Sequence, residues 1–415
     1  MTAHASFRAW SIFCVMAAAN LLSSLQQVGL AAVSGDVALS FQADAAALGL
    51  LSASFSYTYA AMQIPAGILV DTAGSRQSVT VALLLAAAGT LLFATASTLP
   101  PAYLGRMLTG IGLSMVAVPL MKLTSVWFPA KDFGKMTAIS FVIGSIGYWT
   151  ATTPAAWLNA VFGWRIPFMG MAAGLAVLAL LVFVIVRDSP EGKTKTATGE
   201  EGGRILPMLR LIASSRQLWL LGFWYLLQGG VYFSFVGLWA GQYLTQVLHM
   251  EGTTSGWVLA PAAGALITAP FFTWLASATG KRRILFLTLP VVSFVLAMPL
   301  VFGVENWPDG VLCLFFFLLS TSSIGGAAVV FEAAKVMFPV SLSGTVCGFI
   351  NMFPLIGGAL MQQFIGGLIS FFLGRGMDAD KAFTSTFLVY VVCALLACLL
   401  GWNYLEHKEN IQGSS

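Results

Sequence analysis

Apolar segments of about twenty residues recur along the whole chain, and short polar links separate them. A helix of about 20 apolar residues crosses the hydrocarbon core of a bilayer, where the backbone must satisfy its own hydrogen bonds. The pattern therefore predicts an all-α integral membrane protein. We predict twelve spans, near residues 8–33, 46–69, 78–98, 102–128, 134–158, 166–186, 217–245, 255–278, 283–304, 310–337, 344–372 and 383–405.

The longest polar interruption runs from residue 187 to residue 216 and divides the spans into six and six. Its charged and glycine-rich composition is typical of a linker. We therefore predict an N-terminal six-helix bundle over 1–186, a cytoplasmic linker over 187–216 and a C-terminal six-helix bundle over 217–415. Residues 205–212 are amphipathic and are predicted to lie on the bilayer surface.

Composition agrees with the pattern, since 58% of the residues are hydrophobic and only 9% are charged. Soluble domains carry about a quarter charged residues, so a soluble protein is excluded. The net charge of +4 comes from basic residues in the links and does not indicate a nucleic-acid partner.

Enzyme chemistry finds no support in the sequence. The five cysteines all lie inside apolar spans without a C-x-x-C pair, and the three histidines lie near the termini or a span end. Neither a disulfide framework nor a metal site follows from this usage. With no nucleophile–base constellation and no nucleotide-binding loop, we predict no catalytic residues, no cofactor and no metal.

Basic residues fall mainly on the links at one side of the bundle. These are Arg76, Lys131, Lys135, Arg187, Lys193, Lys195, Arg204, Arg210, Arg216, Lys281, Arg282 and Arg283. The links at the other side carry Arg165, Arg375 and Lys381 together with the acids Asp36, Asp44, Glu251, Glu305 and Asp309. Cytoplasmic links carry an excess of Lys and Arg. The first side and both termini are therefore predicted to be cytoplasmic, in a cell inner (plasma) membrane.

The two halves of the chain resemble each other. Residues 122–129 align with residues 332–339, and in the same register Gly147 meets Gly357 and Lys122 meets Glu332. Residues 277–282 form a decayed copy of the link at 67–76, which keeps its glycine and basic residues but loses its acid. These matches predict two homologous six-helix halves.

The link between the second and third spans places Gly67, Asp71, Gly74 and Arg76 in the pattern G-x-x-x-D-x-x-G-x-R. This resembles the loop between the second and third helices of the major facilitator superfamily. The resemblance implies twelve transmembrane helices in two pseudo-symmetric bundles and secondary transport by alternating access. We expect Asp71 to cap the start of the eleventh helix, near residues 341–344, and Arg76 to pair with Asp71 or with lipid phosphate.

The resemblance also implies that helices one, four, seven and ten line a central cavity. Polar side chains are costly inside a membrane, so those on these helices are candidates for binding substrate. The first span carries Asn20 and Gln27 on one face, and the seventh carries Gln228 and Tyr232 on one face. Second-rank candidates are Asn351 and Gln362, which share a face of the eleventh span.

Charged residues inside spans indicate the charge of the predicted substrate. Lys122 on the fourth span and its counterpart Glu332 on the tenth are predicted to face each other, to pair as a cytoplasmic gate when the transporter is outward-open, and to separate when the cytoplasmic side opens. When they separate, Lys122 would meet an anionic substrate and Glu332 would take a proton. The alternative is that each reaches the cytoplasmic surface, or that Glu332 pairs with Lys335 one turn on.

Arg106 stands in an R-x-x-x-G-x-G sequence that is similar to the family's pattern on the fourth helix. Sixteen residues separate it from Lys122, so a straight helix puts the two on nearly opposite faces. Arg106 is therefore expected to line the periplasmic entrance or to be structural.

These features predict a secondary active transporter of a small organic anion, such as a carboxylate, with proton symport. Two alternatives stay open: an exporter or importer of amphipathic, drug-like or siderophore-like molecules, suggested by the aromatic seventh span, and a non-transporting membrane receptor. The expected partners are a small-molecule substrate, protons and the lipid bilayer, with no nucleic acid, and the chain is predicted to be a monomer.

Overall fold

The structure is a computed structural model that describes residues 3–129, 132–189, 211, 214–338 and 343–405, apart from a few side chains. All regular secondary structure in these residues is helical. The spans are α1 (Ala3–Val28), α2 (Ala45–Ala61 and Gln63–Ala73), α3 (Ser75–Thr95), α4 (Leu99–Leu113 and Ala117–Trp127), α5 (Phe133–Thr150 and Thr153–Phe162), α6 (Arg165–Ile185), α7 (Arg216–Gln246), α8 (Gly252–Thr279), α9 (Arg282–Phe302), α10 (Asp309–Ile324 and Ala327–Lys335), α11 (Ser343–Gly374) and α12 (Ala379–Thr386 and Leu388–Trp402).

Ten of these elements, all except α2 and α5, are long and apolar enough to cross a membrane by length and composition alone. The all-helical membrane fold predicted from the sequence is confirmed. A short helix, Ser34–Phe41, joins α1 to α2. The amphipathic segment predicted at 205–212, Leu211 excepted, lies outside the described residues.

Proline positions explain why α2 and α5 are each divided. In α2 the break falls at Met62, three residues before Pro65, which has no N–H to donate to the carbonyl of Ala61. In α5 the second helix begins at Thr153 with Pro154 in its first turn, a position where the missing N–H costs nothing.

The packing of the first six helices recurs among the last six. α1 contacts α5 and α6, and α7 contacts α11 and α12. α3 contacts α4 and α6 as α9 contacts α10 and α12, while α2 meets α4 as α8 meets α10. Two further contacts, α2 with α11 and α5 with α8, join the two sets and are equivalent under the same correspondence.

Glycines aligned in the sequence make equivalent close approaches. A Cβ on Gly147 of α5 would overlap the backbone oxygen of Leu21 on α1, and one on Gly357 of α11 would overlap that of Leu226 on α7. Only glycine permits helices to come this close. The alignment of Gly147 with Gly357 therefore marks the same packing step in each set of six helices.

The apolar core is continuous between the two sets of helices at the predicted periplasmic end. There one cluster of buried side chains includes Val28 and Leu48 together with Trp239 and Tyr243. Another cluster, which runs along α1 and α4 towards the predicted cytoplasmic end, draws all its buried members except Leu355 from residues before 187. The two sets of helices are thus joined by apolar packing at the predicted periplasmic end.

Candidate functional site

Polar side chains meet where α1 packs against α5. The hydroxyl of Tyr148 donates to Oε1 of Gln27 at 2.9 Å, and Nδ2 of Asn20 donates to the backbone oxygen of Ser140 at 3.2 Å. Asn20 and Gln27 are both half-buried. The structure therefore brings these two predicted residues to the α1–α5 contact, with part of each side chain accessible.

A second polar contact lies between α2 and α11. Nδ2 of Asn351 donates to Oε1 of Gln63 at 3.2 Å, joining the two sets of six helices. Gln63 is only 4% exposed, and its Nε2 has no hydrogen-bond partner in the described part of the chain. Gln63 was not among the predicted residues, since it lies on the second span and its contact with Asn351 joins helices far apart in the sequence.

Four tyrosine side chains lie near these polar contacts. Tyr148 lies within electrostatic range of Tyr59, Tyr225 and Tyr232. Their placement on α2, α5 and α7 brings elements from both sides of the bundle to one region. The hydroxyls of Tyr148 and Tyr232 already donate to Gln27 and Ala263, so in this conformation they hold helices together.

Two predicted residues on α7 are held inside the second set of helices. Gln228 is fully buried, and its Nε2 contacts Oγ of Ser293 on α9 at 3.4 Å. Tyr232 is 1% exposed and donates to the backbone oxygen of Ala263 on α8 at 2.8 Å. In this conformation both side chains join helices within that half.

Gln362 also contacts α7. Its Nε2 donates to the backbone oxygen of Phe233 at 3.0 Å, and its own backbone oxygen accepts from the indole of Trp239 at 3.2 Å. Trp239 ends a π-helical turn, Phe235–Trp239, and such turns are frequent at functional sites. Gln362 thus lies against the predicted periplasmic end, away from Asn351 on the same helix.

Lys122 and Glu332 each contact a group within their own set of helices, so whether they pair in another conformation stays a prediction. Oε1 of Glu332 accepts from Nη2 of Arg282 at 2.7 Å, while Nζ of Lys122 donates to the backbone oxygen of Val70 at 3.3 Å. Val70 lies at the end of α2, and Arg282 lies at the α8–α9 link. Lys122 on α4 therefore contacts the end of α2, and Glu332 on α10 contacts the link that follows α8. Lys335 is exposed.

The glycine-rich link is organised by an acid that the sequence did not single out. Oδ1 of Asp188, just after α6, accepts from the backbone N–H groups of Ser75 and Arg76 at 2.5 and 3.1 Å. Gly74 has φ +82° and touches this carboxylate, so a side chain there would be strained and would clash. Asp188 caps the start of α3. The side chain of Asp71, residues 341–342 and the side chains of residues 343–344 lie outside the described part of the chain, so the predicted cap stays a prediction.

Arg76 extends from the same link to α6. Its Nε donates to the backbone oxygen of Phe183 at 2.7 Å, and its guanidinium lies 4.4 Å from the centre of the Phe183 ring. Arg76 and Asp188 therefore join the start of α3 to the end of α6.

Replacing Asp188 with alanine is expected to lower the thermal unfolding midpoint of the purified protein. Loss of a helix cap costs about 1 kcal/mol. Asp378 is a matched control because it precedes α12 but makes no capping bond from its side chain. Equal losses in Asp188→Ala and Asp378→Ala, measured by thermal denaturation in detergent, would contradict the capping role.

Arg106 is buried within the first six helices. It is 1% exposed, Nη1 donates to the backbone oxygen of Gln26 at 3.2 Å, and the guanidinium lies 4.7 Å from the ring centre of Phe55. Nε and Nη2 have no hydrogen-bond partner in the described residues. The contacts of Arg106 join α4 to α1 and α2.

Comparison with known proteins agrees with this architecture. The sequence model of the Major Facilitator Superfamily matches residues 10–362. A solved bacterial homologue of the human lysosomal transporter Spinster, in an inward-facing and unoccupied conformation, superposes with a TM-score of 0.77. That comparison covers 97% of this chain and 98% of the other, at 15% identity, and so concerns the fold alone.

Curated relatives are similar along most of their length. Uncharacterized transporter YybO of Bacillus subtilis (strain 168) is 22% identical, covering 92% of this chain and 90% of the relative. "Probable galactarate/D-glucarate transporter GudP" of Escherichia coli (strain K12) is 25% identical over 79% of each chain. The D-galactonate transporter of Escherichia coli O6:H1 is 21% identical over 91% of each. Because the family model covers most of the chain and the fold agrees, the protein belongs to the Major Facilitator Superfamily and is a secondary transporter of that type.

Proposed function

We propose that the protein carries a small organic anion with a carboxylate group across the inner membrane by alternating access, in symport with protons. The observation that carries this proposal is the half-buried cation Lys122 on α4, on a helix that the family resemblance assigns to the cavity. A cation inside a membrane protein commonly marks the route of a charged solute.

The names of two relatives support the choice of anion. They are named for galactarate, D-glucarate and D-galactonate, which are sugar acids and carry carboxylates at neutral pH. The amide side chains of Asn20, Gln27, Gln63 and Asn351 suit the hydroxyl groups of such a solute, because amides both donate and accept hydrogen bonds. Lys122 would hold the carboxylate, and the amides would orient the rest of the molecule.

Uptake into proteoliposomes tests the substrate class. We expect D-glucarate to accumulate while D-glucose, which has a similar carbon chain but no carboxylate, does not. Accumulation of D-glucose without D-glucarate would overturn the proposal.

Glu332 is the proposed proton carrier. Its Oε1 is engaged by Arg282, while Oε2 is buried and has no hydrogen-bond partner in the described residues. A proton at Oε2 would neutralise the carboxylate and weaken the ion pair with Arg282. That change would free the α8–α9 link from α10 and so connect protonation to movement at the predicted cytoplasmic end.

Replacing Glu332 with glutamine should therefore abolish accumulation driven by a pH gradient while leaving substrate exchange across the membrane intact. Exchange needs no net proton movement, so it separates coupling from binding. The matched control is Glu305→Gln, an acid at the opposite end of the bundle. Unchanged pH-driven accumulation in Glu332→Gln would exclude Glu332 as the carrier.

The aromatic side chains of α7 give little support to an amphipathic or drug-like substrate. The indole of Trp224 donates to the backbone oxygen of Phe286 at 2.9 Å, and that of Trp239 is bound to Gln362. Trp224 is buried within the second set of helices, and Trp239 is buried where the two sets meet. They join helices in this conformation, so the anion remains the better-supported substrate.

A further inference from the structure

A cavity of about 280 Å³ lies at the predicted periplasmic end, where the two sets of helices meet. The link before α2 and the start of α2 form one wall, and the ends of α7 and α11 with the start of α12 form the other. The lining residues that matter here are Asp44, Leu48, Trp239, Gln242, Ser370 and Phe383. Because its walls come from both halves, the cavity exists only while this end is closed.

An acidic group marks one side of the cavity. Oδ1 of Asp44 accepts from the backbone N–H of Ala47 at 2.8 Å, and Oδ2 accepts from the hydroxyl of Ser370 at 3.1 Å. Asp44 forms no ion pair with any residue in the described ranges, and neither lysine nor arginine is among the lining residues. A carboxylate can accept about four hydrogen bonds, so Asp44 can still receive a donor from a ligand.

A buried amide marks another side. Gln242 is 1% exposed, and its Nε2 has no hydrogen-bond partner within the described part of the chain. A buried donor without a partner costs free energy, which an acceptor atom on a ligand would recover. The amide therefore favours a ligand that carries a carbonyl or hydroxyl oxygen.

Aromatic and aliphatic groups complete the walls. Trp239 is fixed by its bond to Gln362 and forms an edge-on contact with Phe383, with ring centres 6.2 Å apart. Leu48 is 2% exposed. Such walls suit an apolar body, and aromatic faces also attract cations.

We propose that this cavity binds a small protonated amine that carries an apolar body and one hydrogen-bond acceptor. The ammonium group contacts Asp44, the acceptor meets Nε2 of Gln242, and the apolar body packs against Trp239 and Phe383. This site is distinct from the anion route through Lys122, because it lies at the other end of the bundle and offers the opposite charge.

Calorimetric titration of the purified full-length protein with L-phenylalaninamide tests the site. The probe has an ammonium group, an amide oxygen and a phenyl ring. We expect saturable binding at one site, and about tenfold weaker binding of 3-phenylpropanamide, which lacks the amine. Phenethylamine, which lacks the amide, should also bind more weakly.

Two variants assign each group to its residue. Asp44→Asn keeps the size of the side chain and is expected to remove the preference for the amine, and Gln242→Leu is expected to remove the preference for the amide. Glu251→Gln, an acid at the same end outside the cavity, is the control and should bind as the wild type does. Thermal midpoints close to that of the wild type exclude misfolding.

Either of two results would overturn the proposal. One is the absence of saturable binding, and the other is equal affinity for all three probes in the wild type and in Asp44→Asn, which would indicate partition into detergent only. Neither result bears on the anion route, because uptake of D-glucarate tests that route separately.

Discussion

Anion binding is expected to fall by roughly 30-fold to about 4000-fold when Lys122 is replaced by alanine, because truncating one member of a buried charge pair costs about 2–5 kcal/mol. The side chain is half-buried on α4, so solvent screens its charge only in part. The measurement is the shift in thermal midpoint of the purified protein on adding D-glucarate, since a ligand that binds the folded state stabilises it by mass action.

Two further variants make the result specific to this position. Lys122→Arg keeps the charge and should retain part of the stabilisation by D-glucarate. Lys135→Ala removes an exposed lysine from α5 at the same end of the bundle and should change nothing. An undiminished stabilisation in Lys122→Ala would assign Lys122 to the membrane surface and would favour a substrate without a carboxylate.

Folding should fail or weaken markedly when Gly357 is replaced by alanine. A Cβ at this position would overlap the backbone oxygen of Leu226, so α7 and α11 would have to move apart. Overpacking of this kind costs about 1–3 kcal/mol or more, because backbone atoms cannot move aside as a flexible side chain can. The thermal midpoint of the purified protein measures the loss.

The control substitution, Gly367→Ala, lies on the same helix and is expected to have the opposite effect on stability. Gly367 has open space where its Cβ would stand. There alanine gains helix propensity, about 1 kcal/mol relative to glycine, and meets no obstacle. Gly367→Ala should therefore unfold at the same temperature as the wild type or at a higher one. Similar losses at both positions would show that helix packing does not decide the effect.

Most of the fold followed from the sequence, because membrane spans are marked by length and composition. The predicted spans agree closely with the helices, and the alignment of Gly147 with Gly357 identified two equivalent contacts. The division of α2 at Met62 was missed, although Pro65 stands in the sequence as its cause. Apolar run length does not report whether a helix is continuous, since it counts side chains and not backbone hydrogen bonds.

Fewer contacts of the candidate site could be predicted from the sequence pattern. Helical spacing puts Asn20 and Gln27 on one face, and both reach the α1–α5 contact, but spacing did not identify Arg282 as the partner of Glu332. Arg282 lies 50 residues away in sequence, and Asp188 lies 113 residues from Ser75. Such contacts depend on how helices cross and where links end, and no periodicity in the sequence encodes either.

The length of α11 has a consequence for the depth in the membrane of the cavity beside Ser370. Its 32 residues extend about 48 Å along the helix axis, whereas the hydrocarbon core is about 30 Å thick. Even a tilted helix of this length brings an end into the headgroup layer. Ser370, four residues before the end of α11, is therefore expected near the lipid headgroups. Anionic lipids concentrate organic cations at that depth, so the composition of the outer leaflet would set how often the cavity is filled.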